Sequence, residues 1–458
     1  MKVLQIAYYF PPMGGAGVQR ALKFSKYLPE FGVTPVVLAA HDPDYVSDPS
    51  LAAEVPAGLA VHRVAHRVLL QRLVQWRRRR AARGRRGAEQ GVAALATGAA
   101  ASSWLDGARD AMLRGYAALQ FPDDKAAWAR RAIDEARRIL REQRIDLIFS
   151  SSPPVSAHAL GARLSRESGI PWVADYRDLW TEISSQGAPA WRCALDRRTE
   201  SAWLRQAAGV VTVSPSWQRM LAHRVSPHCP VAFIPNGYDE ADFVALRGAE
   251  PEGERTDFVL AHTGTFYGPR DPGGLLDGVA LYLTQTARPT RRLRIRLIGN
   301  MGGRFDARLR QFDALFPGVV ERVPYLPHRD ALAELVRADA LLLVVGGWRG
   351  AGGAGLLPGK IFEYLRAGKP ILVLGDERGD AAELVRQHAQ GWVVDEGRPA
   401  EVARALAQMV GDGPRISSGL QRPRSPDEIR GTVARFERRE LARQLADFLH
   451  RCKVQAHG

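Results

Sequence analysis

The chain has 458 residues, and 64 lysines and arginines against 49 aspartates and glutamates leave a net charge of +15. That length exceeds one ordinary hydrophobic core, so two domains are expected, and 46% apolar with 25% charged residues excludes a disordered or fibrous chain. The positive excess points to an acidic partner: a nucleotide, a phospholipid surface or nucleic acid.

Cys193, Cys229 and Cys452 lie far apart without metal-ligand spacing and fit reduced thiols in a cytoplasmic protein. No apolar run of about 18 residues occurs, so no membrane span is expected. The chain opens directly into a strand, so no signal peptide is expected.

Residues 3–8 form the first expected strand. The loop Pro11-Pro12-Met13-Gly14-Gly15-Ala16-Gly17 follows, then a helix to about residue 30. Strand, glycine loop and helix make the phosphate-facing corner of a Rossmann-type unit, or else a tight turn without a ligand. The glycines lack the spacing of the dinucleotide fingerprint, which argues against a nicotinamide cofactor. After a strand over 33–39, Asp42 and Asp44 form an acidic pair that is weak as a metal site. From 62 to about 116 the chain reads as a basic insertion. Its arginines, from Arg63 to Arg86, are interleaved with Val64, Val68, Leu69, Leu73 and Trp76 at roughly helical spacing. Three readings stand: a basic amphipathic helix for an anionic membrane face, a nucleic-acid contact without a recognition motif, or a solvated loop.

A helix over 126–144 and a strand over 145–150 lead into Ser150-Ser151-Ser152-Pro153-Pro154 and a helix that starts near His158. The strand over 172–174 ends in Asp175-Tyr176-Arg177-Asp178. Polar residues at the carboxyl end of a parallel strand sit where open α/β sheets bind ligands. The alternatives are a satisfied helix-start histidine and a structural ion pair. Strands over 210–214 and 231–234 follow, then an Asn236-Gly237 turn and a polar linker over 248–255.

A second alternation runs through strands at 258–261, 293–298, 340–345, 371–374 and 392–394. A polar stretch at 415–425 and a final helix over 426–451 complete it. Ile371 to Leu374 is an unbroken apolar run, as expected of a strand buried on both faces. Before it, Pro358 and Gly359 open a helix that Gly368 ends and Pro370 cannot continue. A glycine-rich loop ending at a helix N-terminus is a ready anion site. Glu363 has acceptors only, so it suits the paired hydroxyls of a ribose, or it pairs with Lys360 or Arg366 on a solvated face.

The run Pro358-Gly359-Lys360-Ile361-Phe362-Glu363-Tyr364-Leu365 resembles the donor-binding motif of the GT4 family of glycosyltransferases. The Ser-Pro-Pro loop and Asp175-Tyr176-Arg177-Asp178 resemble a bacterial subgroup of that family. The resemblance covers nearly the whole chain except about 62–116. It implies a GT-B fold, in which two Rossmann-like, doubly wound parallel-sheet domains face a cleft. Residues 1–245 would bind the acceptor, 256–425 the donor, and 426–458 would cross back onto the first domain. Glu363 would hold the donor ribose, Arg270 and Lys360 its diphosphate, and Tyr325 and Leu326 its base. Gly14, Gly15 and Gly264 would let backbone approach the ligand. Gly355 stands where many members carry a glutamate at the donor sugar. Asp175, Arg177, Asp178 and His158 would line the cleft as catalytic groups. The implied reaction moves a sugar, with retention, from a nucleoside-diphosphate sugar to a sugar or lipid-linked acceptor in cell-surface polysaccharide or glycolipid synthesis. It needs no metal or other cofactor and no nucleic acid, and it allows peripheral contact with the inner membrane face. A nucleotide-sugar or NAD(P)-dependent oxidoreductase and a non-catalytic nucleic-acid or membrane binder are the competing readings.

Overall fold

The computed structural model describes residues 1–66, 120–184, 188–246, 256–266, 272–286, 289–299, 305–346, 350–389, 391–411 and 426–457. The expected linker at 248–255, Arg270, the polar stretch at 415–425 and the basic insertion beyond residue 66 lie outside the described residues.

Two parallel sheets carry the chain. The first has the order β3-β2-β1-β4-β5-β6-β7, from β1 (Lys2–Ala7), β2 (Thr34–His41), β3 (Val61–Ala65), β4 (Leu147–Ser152), β5 (Trp172–Tyr176), β6 (Gly209–Thr212) and β7 (Val231–Phe233). The second has the order β10-β9-β8-β11-β12-β13, from β8 (Asp257–Thr263), β9 (Arg292–Ile298), β10 (Val320–Val323), β11 (Ala340–Val344), β12 (Ile371–Leu374) and β13 (Gly391–Val394). Central strands β1, β4, β11 and β12 are buried almost throughout; β11 and β12 accordingly read as apolar runs, while β1 and β4 also bury Gln5 and Ser150 to Ser152.

Two expectations are corrected here. His62 to Ala65 do not begin a helix. They belong to the edge strand β3, paired in register from Val37↔Val61 to His41↔Ala65. Edge strands are only half covered, so their alternation is weak, and the arginines that follow masked it.

The final helix is also broken. Helix Pro426–Val433 passes through a short 3-10 turn, Ala434–Phe436, before helix Arg438–His457. Glu437 between them is extended because Tyr238 pairs with both neighbours: its N–H donates to Phe436 O at 3.2 Å and its carbonyl accepts from Arg438 N at 2.8 Å. The backbones approach so closely that a Cβ on Gly237 would stand 2.2 Å from Phe436 O, which explains the glycine in the Asn-Gly turn.

Helix Arg438–His457 then lays Leu441, Leu445, Phe448, Leu449 and Cys452 against Val3, Phe24, Leu147, Phe149, Val173 and Val211 of the first domain. Each fully buried leucine contributes about 1.5–3 kcal/mol relative to exposure, so this helix braces the two domains. Among the described residues no helix is long and apolar enough to cross a membrane.

Candidate active site

The loop after β1 meets the one after β10, and the segments after β5 and β6 meet the one after β11. Carboxyl ends of both sheets therefore converge on one cleft. On the first side, Gly15 takes φ +86° and caps helix Ala16–Tyr27, a conformation that favours glycine. The Gly14 N–H donates to Val46 O at 2.7 Å. Tyr325 reaches this loop from the other domain. Its hydroxyl donates to Asp48 Oδ2 at 3.3 Å and accepts from the Gly15 N–H, and a Cβ on Gly14 would lie 3.1 Å from it. Burial and the Asp48 carboxylate raise the phenol's pKa. Tyr9 and Tyr45 lie beside the loop with ring centroids 5.2 Å apart. The structure thus brings Gly14, Gly15 and Tyr325 together, with Leu326 half-buried next to Tyr325.

The four residues expected as catalytic groups behave differently. Asp175 is fully buried, and both its oxygens accept from the Arg20 guanidinium at 2.8–3.2 Å. Arg20 spends its other hydrogens on Ile234 O and Pro235 O, so the pair anchors the crossing between the domains. His158 is also fully buried. Its Nδ1 lies 2.8 Å from Ser150 Oγ, its ring packs on Tyr176 and Trp172, and burial pushes its pKa down to about 3. It is a neutral core histidine, as its apolar helix face explains. Arg177 donates to Ser152 O, Pro153 O and Gly17 O at 2.9, 2.5 and 2.5 Å. It pins the Ser-Pro-Pro loop to the glycine loop. Asp178, half-buried like Arg177, acts electrostatically on it.

On the second side, Gly264 takes φ +118° at the end of β8. Lys360 Nζ donates to Thr263 O at 2.5 Å, and a Cβ on Gly264 would meet that ammonium at 2.6 Å. Tyr364 Oη accepts from Thr263 N at 3.1 Å, so helix Lys360–Ala367 is bolted to the end of β8. Arg366 does not face Glu363. It forms a bidentate pair with Glu240 of the first domain, both contacts at 2.6 Å. Gly355 is closed to any side chain. A Cβ there would lie 2.3 Å from Trp217 Cδ1, because Trp217 crosses from helix Pro215–Ala222 and donates Nε1–H to Gly352 O at 2.8 Å.

Beneath the cleft lies a buried charge cluster that sequence reasoning missed. Glu54, Asp239 and Asp242 bring carboxylate oxygens within 4.8 Å of one another, the one such group among the described residues. The Lys23 ammonium sits among them at 2.6, 2.7 and 3.1 Å. Burial works against Asp239's charge, but Lys23, Tyr27 and Lys26 hold its pKa down to about 2. The acidic pair Asp42 and Asp44 is a turn instead: Asp42 accepts from Tyr8 Oη at 3.0 Å and from Asp44 N at 3.2 Å. The available signal for the cluster was two basic residues, Arg20 and Lys23, on the helix face that Val18, Ala21 and Leu22 bury.

His328 links this cluster to Glu363. Its Nε2 is 3.7 Å from Asp242 Oδ2 in the first domain and 3.7 Å from Glu363 Oε1 in the second. Burial lowers the imidazole pKa, but Glu363 and Asp242 outweigh it and raise it above 6.5. Glu363 is itself raised by burial, with His328 and Arg438 opposing. A raised histidine pKa means that the stabilisation is complete below about pH 6.5 and is lost as pH climbs through the higher folded value. His328→Gln should therefore cost roughly 0.5–1 kcal/mol at pH 6 and almost nothing at pH 9. Melting temperatures of both proteins across that range measure it, and a pH-independent difference would remove the charged bridge.

The whole chain can be compared with known proteins. A sequence model described as Glycosyltransferase Family 4 matches residues 85–242, within the first domain and short of half the chain. No curated protein matches the sequence. Among solved structures, the chain is similar to Anabaena HepE in complex with UDP-glucose, with TM-score 0.58 and 16% identity over 98% of this chain and 100% of that one. It is similar to the trehalose-6-phosphate phosphatase N-terminal domain of Candida albicans, with TM-score 0.60 and 13% identity over 98% and 97%. It is also similar to the lipopolysaccharide outer core galactosyltransferase WaaB, with TM-score 0.56 and 12% identity over 98% and 99%. The fold is GT-B. At the junction of the two domains Tyr325 meets Asp48 and the Gly14 loop, and His328 stands between Asp242 and Glu363.

Proposed function

We propose that the protein is a glycosyltransferase that moves a sugar from a nucleoside-diphosphate sugar on the second domain to an acceptor on the first. The observation that carries this reading is the pairing, on one helix, of Lys360 at the Thr263 carbonyl beside Gly264 with Glu363 one turn on. A cation and a helix N-terminus suit a diphosphate, and a carboxylate suits vicinal hydroxyls. The match to the family model and the UDP-glucose bound by HepE support the same reading. In it, Lys360 and Arg270 neutralise the charge that grows on the departing diphosphate. The reaction retains anomeric configuration and uses no divalent cation, because fixed side-chain charges take that role. The acceptor is a cell-surface glycan or glycolipid precursor, presented at an anionic membrane that the arginine-rich stretch after residue 66 would contact.

Calorimetry with a panel of nucleoside mono- and diphosphates tests the donor site. A hydrogen bond to a charged group is worth about 1.5–3 kcal/mol, so Glu363→Gln should weaken the best nucleotide on the order of tenfold to a hundredfold. Unchanged affinity for every nucleotide in the variant would take Glu363 out of the site.

A further inference from the structure

Helix Ala190–Gln206 sorts its residues by face. Both of its acids point inward: Asp196 is 1% exposed and accepts from Arg192 Nε at 2.6 Å, and Glu200 is 2% exposed and accepts from Thr181 Oγ1 at 2.6 Å. The outward face carries Trp191, 55% exposed, and Leu195, 41% exposed, with Ala194, Ala202, Arg197, Arg198 and Arg205 also exposed. Positions 191, 195, 198, 202 and 205 recur at steps of four and three, so they form one stripe. None of the three arginines has an ion-pair partner among the described residues.

We infer that this stripe is a docking surface for an anionic lipid membrane. An exposed tryptophan beside a leucine is an unfavourable surface in water, whereas an indole is well suited to the headgroup boundary. Arg198 and Arg205 on the stripe, with Arg197 to one side of it, supply the complementary charge, and their stems can lie along apolar surface while the guanidinium reaches phosphate. The total charge of +15 favours approach to an anionic leaflet. The position of the helix adds a second argument. Arg192, in its first turn, donates to Gln120 O at 2.9 Å and Pro122 O at 2.5 Å. The stripe therefore starts where the chain returns from a stretch whose sequence holds nine arginines between residues 67 and 86. This inference does not depend on the chemistry in the cleft.

The test is sedimentation of the full chain with vesicles of phosphatidylglycerol and phosphatidylcholine, against phosphatidylcholine alone, at low and high salt. Wild type should bind the anionic vesicles and release them in high salt. The variant Arg197→Gln/Arg198→Gln/Arg205→Gln should lose on the order of a hundredfold in partitioning, and Trp191→Ser/Leu195→Ser about tenfold. These side chains are exposed, so both variants should keep the wild-type melting temperature. Wild-type binding by both variants would overturn the assignment and leave any membrane contact to the arginine-rich stretch. Equal binding to both vesicle types would overturn its electrostatic basis. A concentration-dependent dimer that Trp191→Ser/Leu195→Ser abolishes would replace the membrane with a second copy of the chain.

Discussion

Asp175→Ala should destabilise the protein by about 3–5 kcal/mol, the cost of leaving a buried charge without its partner. Arg20 and Asp175 are 1% and 0% exposed, so water cannot replace the lost carboxylate. The Arg20 guanidinium would keep only the Ile234 and Pro235 carbonyls, and Ser151 Oγ would lose its acceptor at 2.7 Å. A domain of ordinary stability has 5–15 kcal/mol to lose, so the variant should survive with a markedly lower melting temperature. The double variant Arg20→Met/Asp175→Leu removes both charges and should recover most of the loss, because well-packed apolar residues commonly replace a buried pair without penalty. Thermal unfolding of the three proteins measures this. A wild-type melting temperature for Asp175→Ala combined with lost transfer activity would instead return Asp175 to the chemistry.

The second large effect is expected at Gly355. Writing in the acidic residue that its place in the motif suggests, as Gly355→Glu, should weaken the contact between the domains by about 1–3 kcal/mol rather than add a ligand for the donor. The new Cβ would be 2.3 Å from Trp217 Cδ1 and 2.4 Å from Nε1. The indole, 1% exposed, would have to leave its slot and give up its bond to Gly352 O. Trp217→Ala alone should also cost about 3–5 kcal/mol, through the cavity it leaves. The two changes touch the same space, so the double variant should be more stable than the sum of the singles predicts, by roughly 0.5–3 kcal/mol. A double-mutant cycle in thermal or denaturant unfolding gives that coupling, and strict additivity would show that Trp217 is not the obstacle.

The sequence by itself determined the two-sheet architecture, the glycine loops at strand ends and the helix that carries Lys360 and Glu363. These are local signals. A strand buried on both faces must be apolar along its length, as Ile371 to Leu374 is. A loop that turns through positive φ needs glycine, as at Gly15 and Gly264. A helix over 426–451 was legible too, whereas its return to the first domain came only from the family resemblance; in the structure Leu441, Leu445 and Leu449 make that contact.

Only the tertiary structure decided which polar residues face the cleft and which hold the protein together. Asp175 and Arg20 are 155 residues apart, and Trp217 and Gly352 are 135 apart. Nothing in either neighbourhood encodes such a meeting, because the first is set by how helix Ala16–Tyr27 packs against β5 within one domain and the second by how the two domains pack. A carboxylate that binds a ligand and one that neutralises a buried guanidinium look alike in sequence; burial and the partner separate them. The same holds for the break at Glu437, where pairing with Tyr238 overrides a helical pattern. It holds too for the edge strand Val61–Ala65, where one neighbouring strand outweighs a weak and charge-rich periodicity.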